Sequence, residues 1–325
     1  MSGDTSSNSI PPAPGGPPRG GADDPRSAAL SMALPLALMI LIMGLNYPIV
    51  KLGLPYAPAL WLAFLRAALG AGTVWLLLLL RPRGTRLSSA KRQRALLLGL
   101  PNTFLYFGLT FWALTLVPPG TASVLASTVP LWVLVAAILL GVRPSLLKGV
   151  ALGVGFAGIL VVAGGHTALG GALLLPDLAL IAAAVSWALC TVAMKRWFLP
   201  EELPEANAWQ LVGGILPLLL LAWVGAPPTT VEWTPTLVAA VVWLGVVGTG
   251  VAFTLWFALL ARGKASTITG YLFLVPVVSI AVSVVAFGEM PTLLEASGVV
   301  LILVATVLLS RADREPAVHH PLPAH

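Results

Sequence analysis

Two stretches of this chain, Ala95–Leu116 and Thr121–Val142, carry no charged side chain at all. Each is longer than the ~20 residues that an α-helix needs to cross a bilayer. A membrane β-strand would need only about 10 residues, alternating in polarity, so these runs point to helices. The same reading predicts ten apolar segments, roughly 29–50, 57–80, 95–116, 121–142, 146–164, 178–194, 206–225, 236–260, 265–288 and 291–310, the fifth, sixth and tenth being short for a crossing. Only 9% of the residues are charged and mean hydropathy is +0.95, against about 25% charged in an average soluble domain. There is too little polar surface for a water-soluble enzyme or a nucleic-acid-binding module, and no nucleic-acid partner is expected despite a net charge of +6.

The position of the charges says more than their sum. With an internal N-terminus, the loops on the cytoplasmic side hold Arg19 and Arg26; Arg81, Arg83, Arg86, Lys91, Arg92 and Arg94; Arg143 and Lys148; Lys195 and Arg196; Arg262 and Lys264; and Arg311 and Arg314. Of the 18 Lys and Arg, this leaves only Lys51, at the outer end of the first span, and Arg66, inside the second. Such asymmetry is the positive-inside signature and places both termini in the cytoplasm. Residues 1–28, rich in Ser, Gly and Pro, read as a disordered tail and not as a cleavable leader. A single cysteine, Cys190, precludes a disulfide framework within the chain, and no histidine falls inside a predicted span. No metal site and no cofactor are expected. An intramembrane enzyme would need a nucleophile with a base, or a metal, and no deep His, Asp or Glu is available to build either.

The chain also repeats itself. Leu140–Val162 resembles Phe287–Leu309, with Gly141, Pro144, Leu146 and Leu147 falling on Gly288, Pro291, Leu293 and Leu294. At a nearby offset Asn46–Lys51 falls on Cys190–Lys195. Two halves of five helices each must insert in opposite senses. The charges agree: Arg143 and Lys148 in the first copy of the turn are replaced by Met290 and Glu295 in the second, beside Glu289. The expected fold is an all-α integral membrane protein, ten transmembrane helices arranged as two inverted five-helix repeats. Its expected parts are a cytoplasmic tail (1–28), a first repeat (29–165), an external loop (166–177), a second repeat (178–311) and a cytoplasmic tail (312–325). Inverted repeats build transporters whose sites lie near the midplane, though channels share the device.

Specific segments carry a family likeness: GLNYPIVKLGL (Gly44–Leu54), LAFLRAALGA (Leu62–Ala71), PPGTASVLASTVPLW (Pro118–Trp132), AAAVSWALCTVAMK (Ala182–Lys195) and Tyr271–Leu303. In this order and spacing the chain resembles the drug/metabolite transporter superfamily, in its ten-helix EamA-type branch. The family often has Gly-Glu-Arg at both span-end turns; here they read Gly141-Val142-Arg143 and Gly288-Glu289-Met290. The resemblance implies a secondary transporter of the bacterial inner membrane, moving small metabolites such as amino acids outward by alternating access. A gated channel or facilitator-type pore is the alternative. No P-loop motif is present, and the lack of a deep Asp or Glu favours a facilitator or exchanger over a carboxylate proton relay.

Arg66 is the sharpest signal. A charge at that depth costs about 2.5–3.5 kcal/mol on insertion scales, and no Asp or Glu lies deep in a predicted span to pair with it. Water in a cavity, helix carbonyls freed near Pro48 or Pro101, or a substrate carboxylate could each solvate it, and all three readings stay open. Asn102, Tyr106, Thr110 and Ala113 share one face of a regular helix, so the stripe is expected to point inward. Asn46, beside Tyr47-Pro48, is expected near a break in the first helix. Trp187 and Trp256 could wall a cavity for an apolar or aromatic side chain. The expected substrate path is thus Asn46, Arg66, Asn102, Tyr106, Trp187 and Trp256. Ser123 with Ser127, and Ser279 with Ser283, are expected to bond between helices. Gly149, Gly153 and Ala157 offer a close-packing face, within one chain or between two copies as a homodimer.

Overall fold

The computed structural model describes residues 25–80, 86–167, 174–262 and 271–312. The expected tails beyond these limits, residues 168–173 of the 166–177 loop, and Arg81, Arg83 and Lys264 lie outside the described residues. Those residues are helical throughout their ordered elements, with no strand among them. Helices α1 (Pro25–Gly53) and α2 (Ala59–Leu79) are followed by α3 (Ser89–Gly99), which continues through a π-helical stretch (Leu100–Leu105) into α4 (Tyr106–Ala113). Next come α5 (Pro119–Ala126), α6 (Val129–Leu139), α7 (Leu146–Thr167), α8 (Leu174–Trp197) and α9 (Leu203–Gly225). The remainder is α10 (Pro235–Val242), a second π stretch (Trp243–Val251), α11 (Ala252–Arg262), a 3₁₀ turn (Tyr271–Leu274), α12 (Val275–Phe287) and α13 (Leu293–Ala312).

Seven helical stretches are long and apolar enough to cross a bilayer: Leu34–Gly53, Ala59–Leu79, Ser89–Ala113, Pro119–Leu139, Leu175–Trp197, Leu203–Gly225 and Pro235–Ala261. Three shorter apolar helices, Leu146–Val162, Val275–Phe287 and Leu293–Leu309, complete the described set. The sixth segment is therefore longer than expected, because its helix starts ahead of Asp177, which is buried inside it. Likewise α7 runs on to Thr167 and takes in His166.

Local sequence explains most boundaries. Ser88 caps α3 by accepting from the Lys91 amide at 3.4 Å, and Thr234 caps α10 through the Leu237 amide at 3.2 Å. The fourth segment is interrupted between α5 and α6, where Pro130 cannot donate to the Ala126 carbonyl. Pro276 stands at the corresponding start of α12. Pro101 opens the first π stretch in the same way, whereas the second contains no proline and is built on Gly245, Gly248 and Gly250. The first helix, by contrast, continues unbroken through Pro48, so the break expected there is instead in the third, fourth and eighth segments.

The two turns that the sequence aligned share a backbone state. Gly141 and Gly288 have φ of +91° and +67°, the only positive values among the described residues. Glycine reaches this left-handed region without penalty and so ends a helix sharply. Packing also follows a pattern across the halves. α2 lies on α9, α5 on α12 and α7 on α13, while α1 packs against α10–α12 and α8 against α4–α6. The α7–α13 crossing is closest at Gly158 and Gly298: a Cβ on Gly158 would meet the Gly298 carbonyl at 2.9 Å, and one on Gly298 the Gly158 carbonyl at 2.9 Å. The expected Gly149–Gly153–Ala157 face is not this contact; its residues are exposed, with open space beside both glycines.

Candidate functional site

A cavity lies at the centre of the bundle, between α1, α2, α4, α8, α11, the interrupted fourth segment and the start of α12. Of the residues expected on a path, Asn46, Arg66, Tyr106 and Trp187 all line it. Asn102 and Trp256 do not. Within a π stretch the turn holds more residues than in an α-helix, so the four-residue spacing from Asn102 to Tyr106 no longer keeps one face. Asn102 swings to the α9 side and its Nδ2 donates to Gln210 Oε1 at 2.9 Å. Trp256 is fully buried behind the wall, edge-on to Trp187 with ring centroids 5.6 Å apart.

Arg66 is 6% exposed. Its Nε donates to Thr249 Oγ1 at 2.9 Å and its Nη2 to the Gly248 carbonyl at 3.2 Å. The guanidinium lies over Phe107, 4.4 Å from the ring centroid, and 5.6 Å from that of Phe111. The carbonyl that receives it belongs to the second π stretch and not to a turn freed by Pro48 or Pro101. No carboxylate among the described residues pairs with Arg66. Its cavity-facing N–H groups can therefore still receive an anion.

The neighbouring polar groups are only partly satisfied. Asn46 Nδ2 donates to the Gly248 carbonyl at 3.2 Å, while its Oδ1 is buried without a partner. Thr110 Oγ1 is buried and unpartnered in the same cavity. Tyr47 and Tyr106 bring their hydroxyls within 3.4 Å of each other. Ser127, at the break before Pro130, completes the polar rim. The opposite wall is aromatic: Trp187 stacks on Phe253 at 6.2 Å with planes 17° apart, and Tyr106 lies 4.8 Å from Trp187. An aromatic wall facing a guanidinium and an amide oxygen suits a ligand with one apolar end and one charged, hydrogen-bonding end.

Several of these residues escaped sequence reasoning. Gln210 accepts from Asn102 and from Cys190 Sγ (3.2 Å) and donates to Asn207 Oδ1 (3.0 Å). Gly248 and Thr249 present the acceptors for Arg66, and Phe107, Phe111 and Phe253 furnish the wall. The spaced glycines of Gly245–Gly250 and the position of Pro130 were the available signals. Among the serines, only Ser279 bonds between helices, to the Pro119 carbonyl at 3.2 Å. Ser123 bonds within its own helix, Ser127 lines the cavity and Ser283 Oγ has no partner. Lys195 Nζ donates to the Leu260 carbonyl at 2.7 Å. One end of the bundle is tied by Lys91 Nζ to Glu202 (2.6 and 2.7 Å) and by the Leu87 amide to Glu205 (2.9 Å).

The model of the EamA-like transporter family matches the sequence twice, over residues 30–164 and 174–311. An uncharacterized transporter of Bacillus subtilis, YvbV, is 30% identical, the match covering 88% of this chain and 94% of that protein. A probable amino-acid metabolite efflux pump of Salmonella typhimurium is 29% identical, with 82% and 90% covered. A probable terminal-alkyne amino-acid exporter of Streptantibioticus cattleyicolor is also 29% identical, with 85% and 92% covered. A solved crystal structure superposes with a TM-score of 0.66 at 24% identity, covering 88% of this chain and 99% of the other, a likeness of fold.

Proposed function

The chain belongs to the EamA-like transporter family, and from that premise we propose that it exports amino acids or closely related metabolites across a bacterial inner membrane. Two relatives are named for amino-acid export and none of those compared is named as an enzyme. In this reading ten helices cross the membrane as two inverted five-helix units, 29–165 and 178–311, with both termini in the cytoplasm. The matched left-handed glycines, the packing pattern that survives exchange of the halves, and the paired π stretches all support such an arrangement. Alternating access then rocks one unit against the other around the central cavity.

The observation that carries the substrate class is Arg66, buried against Phe107 with no carboxylate partner among the described residues and with the orphaned Asn46 Oδ1 beside it. A substrate carboxylate would pair with the guanidinium, its ammonium would donate to Asn46 Oδ1, and its side chain would rest on Trp187 and Phe253. The test is counterflow in proteoliposomes loaded with unlabelled amino acids. Saturable exchange of labelled substrate is expected, in both the presence and absence of a pH gradient. Flux that never saturates and shows no counterflow would replace the carrier with a gated pore, and strict dependence on the gradient would replace facilitated exchange with proton antiport.

A further inference from the structure

A second cavity lies between the start of α5, α12 and the start of α13. Thr121 lines it and Ser127 lines the central one; six residues of helix place them about 9 Å apart. It sits at the start of α5, hence at the end of the bundle away from Arg143 and Lys148. Its walls are aliphatic, from Val124, Val162, Ile280 and Val299. Four oxygen-bearing side chains also line it: Thr121, Ser283, Glu289 and Glu295.

Glu295 is held in place by the start of α13. Its Oε2 accepts from the Thr292 amide at 2.8 Å and hydroxyl at 2.9 Å, and its Oε1 from Thr121 Oγ1 at 3.3 Å. Glu289 and Ser283 are different. Ser283 is 2% exposed, and neither its Oγ nor the buried Glu289 Oε2 has a hydrogen-bond partner. Burial raises the Glu289 carboxyl above its ordinary value, with Lys51 on α1 opposing that shift. Leaving buried polar atoms unpaired is costly, and a ligand that brings N–H donors would relieve both. Two carboxylates repel an anion. A divalent cation would want six or more oxygens, but both Glu295 oxygens and Thr121 Oγ1 are already engaged with one another or with Thr292. A primary ammonium brings a positive charge and three N–H donors, and a short alkyl chain fits the valine and isoleucine walls.

We propose that this cavity is a binding site for aliphatic primary amines, with the ammonium held by Glu289, Glu295 and Ser283 and the chain against Val124 and Ile280. The site is separate from the central cavity and does not depend on what is transported. It is tested with the full-length protein purified in detergent, titrated with n-hexylamine by calorimetry. n-Hexanol and hexanoate serve as neutral and anionic controls of equal length. Saturable binding of hexylamine alone is expected, weakened about tenfold or more by Glu289→Gln, because a charge-assisted contact is lost, and to a lesser degree by Ser283→Ala. Glu289→Gln removes no hydrogen bond that the structure contains, so normal thermal unfolding of that variant is expected; a Gly153→Ala protein, changed on an open face, should bind as wild type. Equal binding of hexanol, displacement by sodium chloride at matched concentration, or unaltered affinity in a folded Glu289→Gln protein would overturn the proposal.

Discussion

Replacing Arg66 by Gln separates a substrate-binding arginine from a structural one, because the structure predicts opposite sizes for the two effects. The variant removes the donors to Thr249 Oγ1 and the Gly248 carbonyl. Neither is orphaned: Thr249 Oγ1 still donates to the Leu244 carbonyl at 2.9 Å, and Asn46 Nδ2 still reaches Gly248. What is lost is mainly the cation–π contact with Phe107 and Phe111, worth about 2 kcal/mol when desolvated. Removing a buried charge without a carboxylate partner offsets part of that. Stability should fall by less than about 2 kcal/mol. Transport should fall much further. A charge-assisted pair with a substrate carboxylate is worth about 2–4 kcal/mol, or roughly thirty- to a thousandfold in affinity. The assay is competition of labelled amino-acid counterflow by the same amino acid and by its amide. Wild type should prefer the acid by that factor, and Arg66→Gln should lose the preference while expressing and melting nearly as wild type. A variant that unfolds more than 10 °C lower yet still prefers the acid would refute the reasoning and make Arg66 a structural pin of the second π stretch.

Gln210→Ala should do the reverse, since it strands Asn102, Cys190 and Asn207 around a buried gap: a loss of about 1–3 kcal/mol per unpaired group, seen as a lower Tm, with the acid-over-amide preference intact. Gly158→Ala should destabilise by about 1–3 kcal/mol, because its Cβ meets backbone of α13 that cannot step aside, whereas Gly153→Ala, facing open space, should leave Tm unchanged. Burial alone would raise the Glu202 carboxyl, but the hydrogen bond from Lys91, the Leu199 amide and the Lys91 charge hold it below the ordinary value of 4.5. The stabilisation from this group is therefore complete above about pH 4.5 and is lost as pH falls through the depressed value. Melting curves of wild type and Lys91→Ala should differ at pH 7 and converge in acid.

Hydropathy and charge position were enough to read the helical class and to single out Arg66 as a buried charge, because both depend on the cost of moving a residue into lipid. That cost is carried by the residue itself. The direction in which a side chain points is not, and Asn102 shows why: three to four residues per turn is a property of the backbone, and Pro101 changes it locally. Trp256 was misplaced for a related reason. A tryptophan inside a span satisfies the hydropathy pattern equally well in a wall or behind one. Gln210 was passed over because a single neutral amide at that depth is cheap compared with a charge.

The same offset that lays Asn46 on Cys190 lays Arg66 on Gln210, and the structure gives those two positions the same job. Arg66 on α2 binds the π stretch Trp243–Val251; Gln210 on α9 binds the π stretch Leu100–Leu105, through Asn102 and, by its carbonyl, Thr103 Oγ1 at 3.2 Å. One joint is neutral, and its Gln210 amide is bonded through both oxygen and nitrogen to side chains of the protein. The other is cationic and leaves N–H groups of Arg66 facing a cavity. A helix that departs from i→i+4 bonding loosens its carbonyls; Arg66 takes one at Gly248, whereas Gln210 grips its π stretch through the side chains of Asn102 and Thr103. Only one of them is charged. The charge of Arg66 therefore exceeds what the joint requires, since its neutral counterpart holds an equivalent π stretch without it. That excess is the strongest physical reason to assign Arg66 a ligand as well as a structural contact.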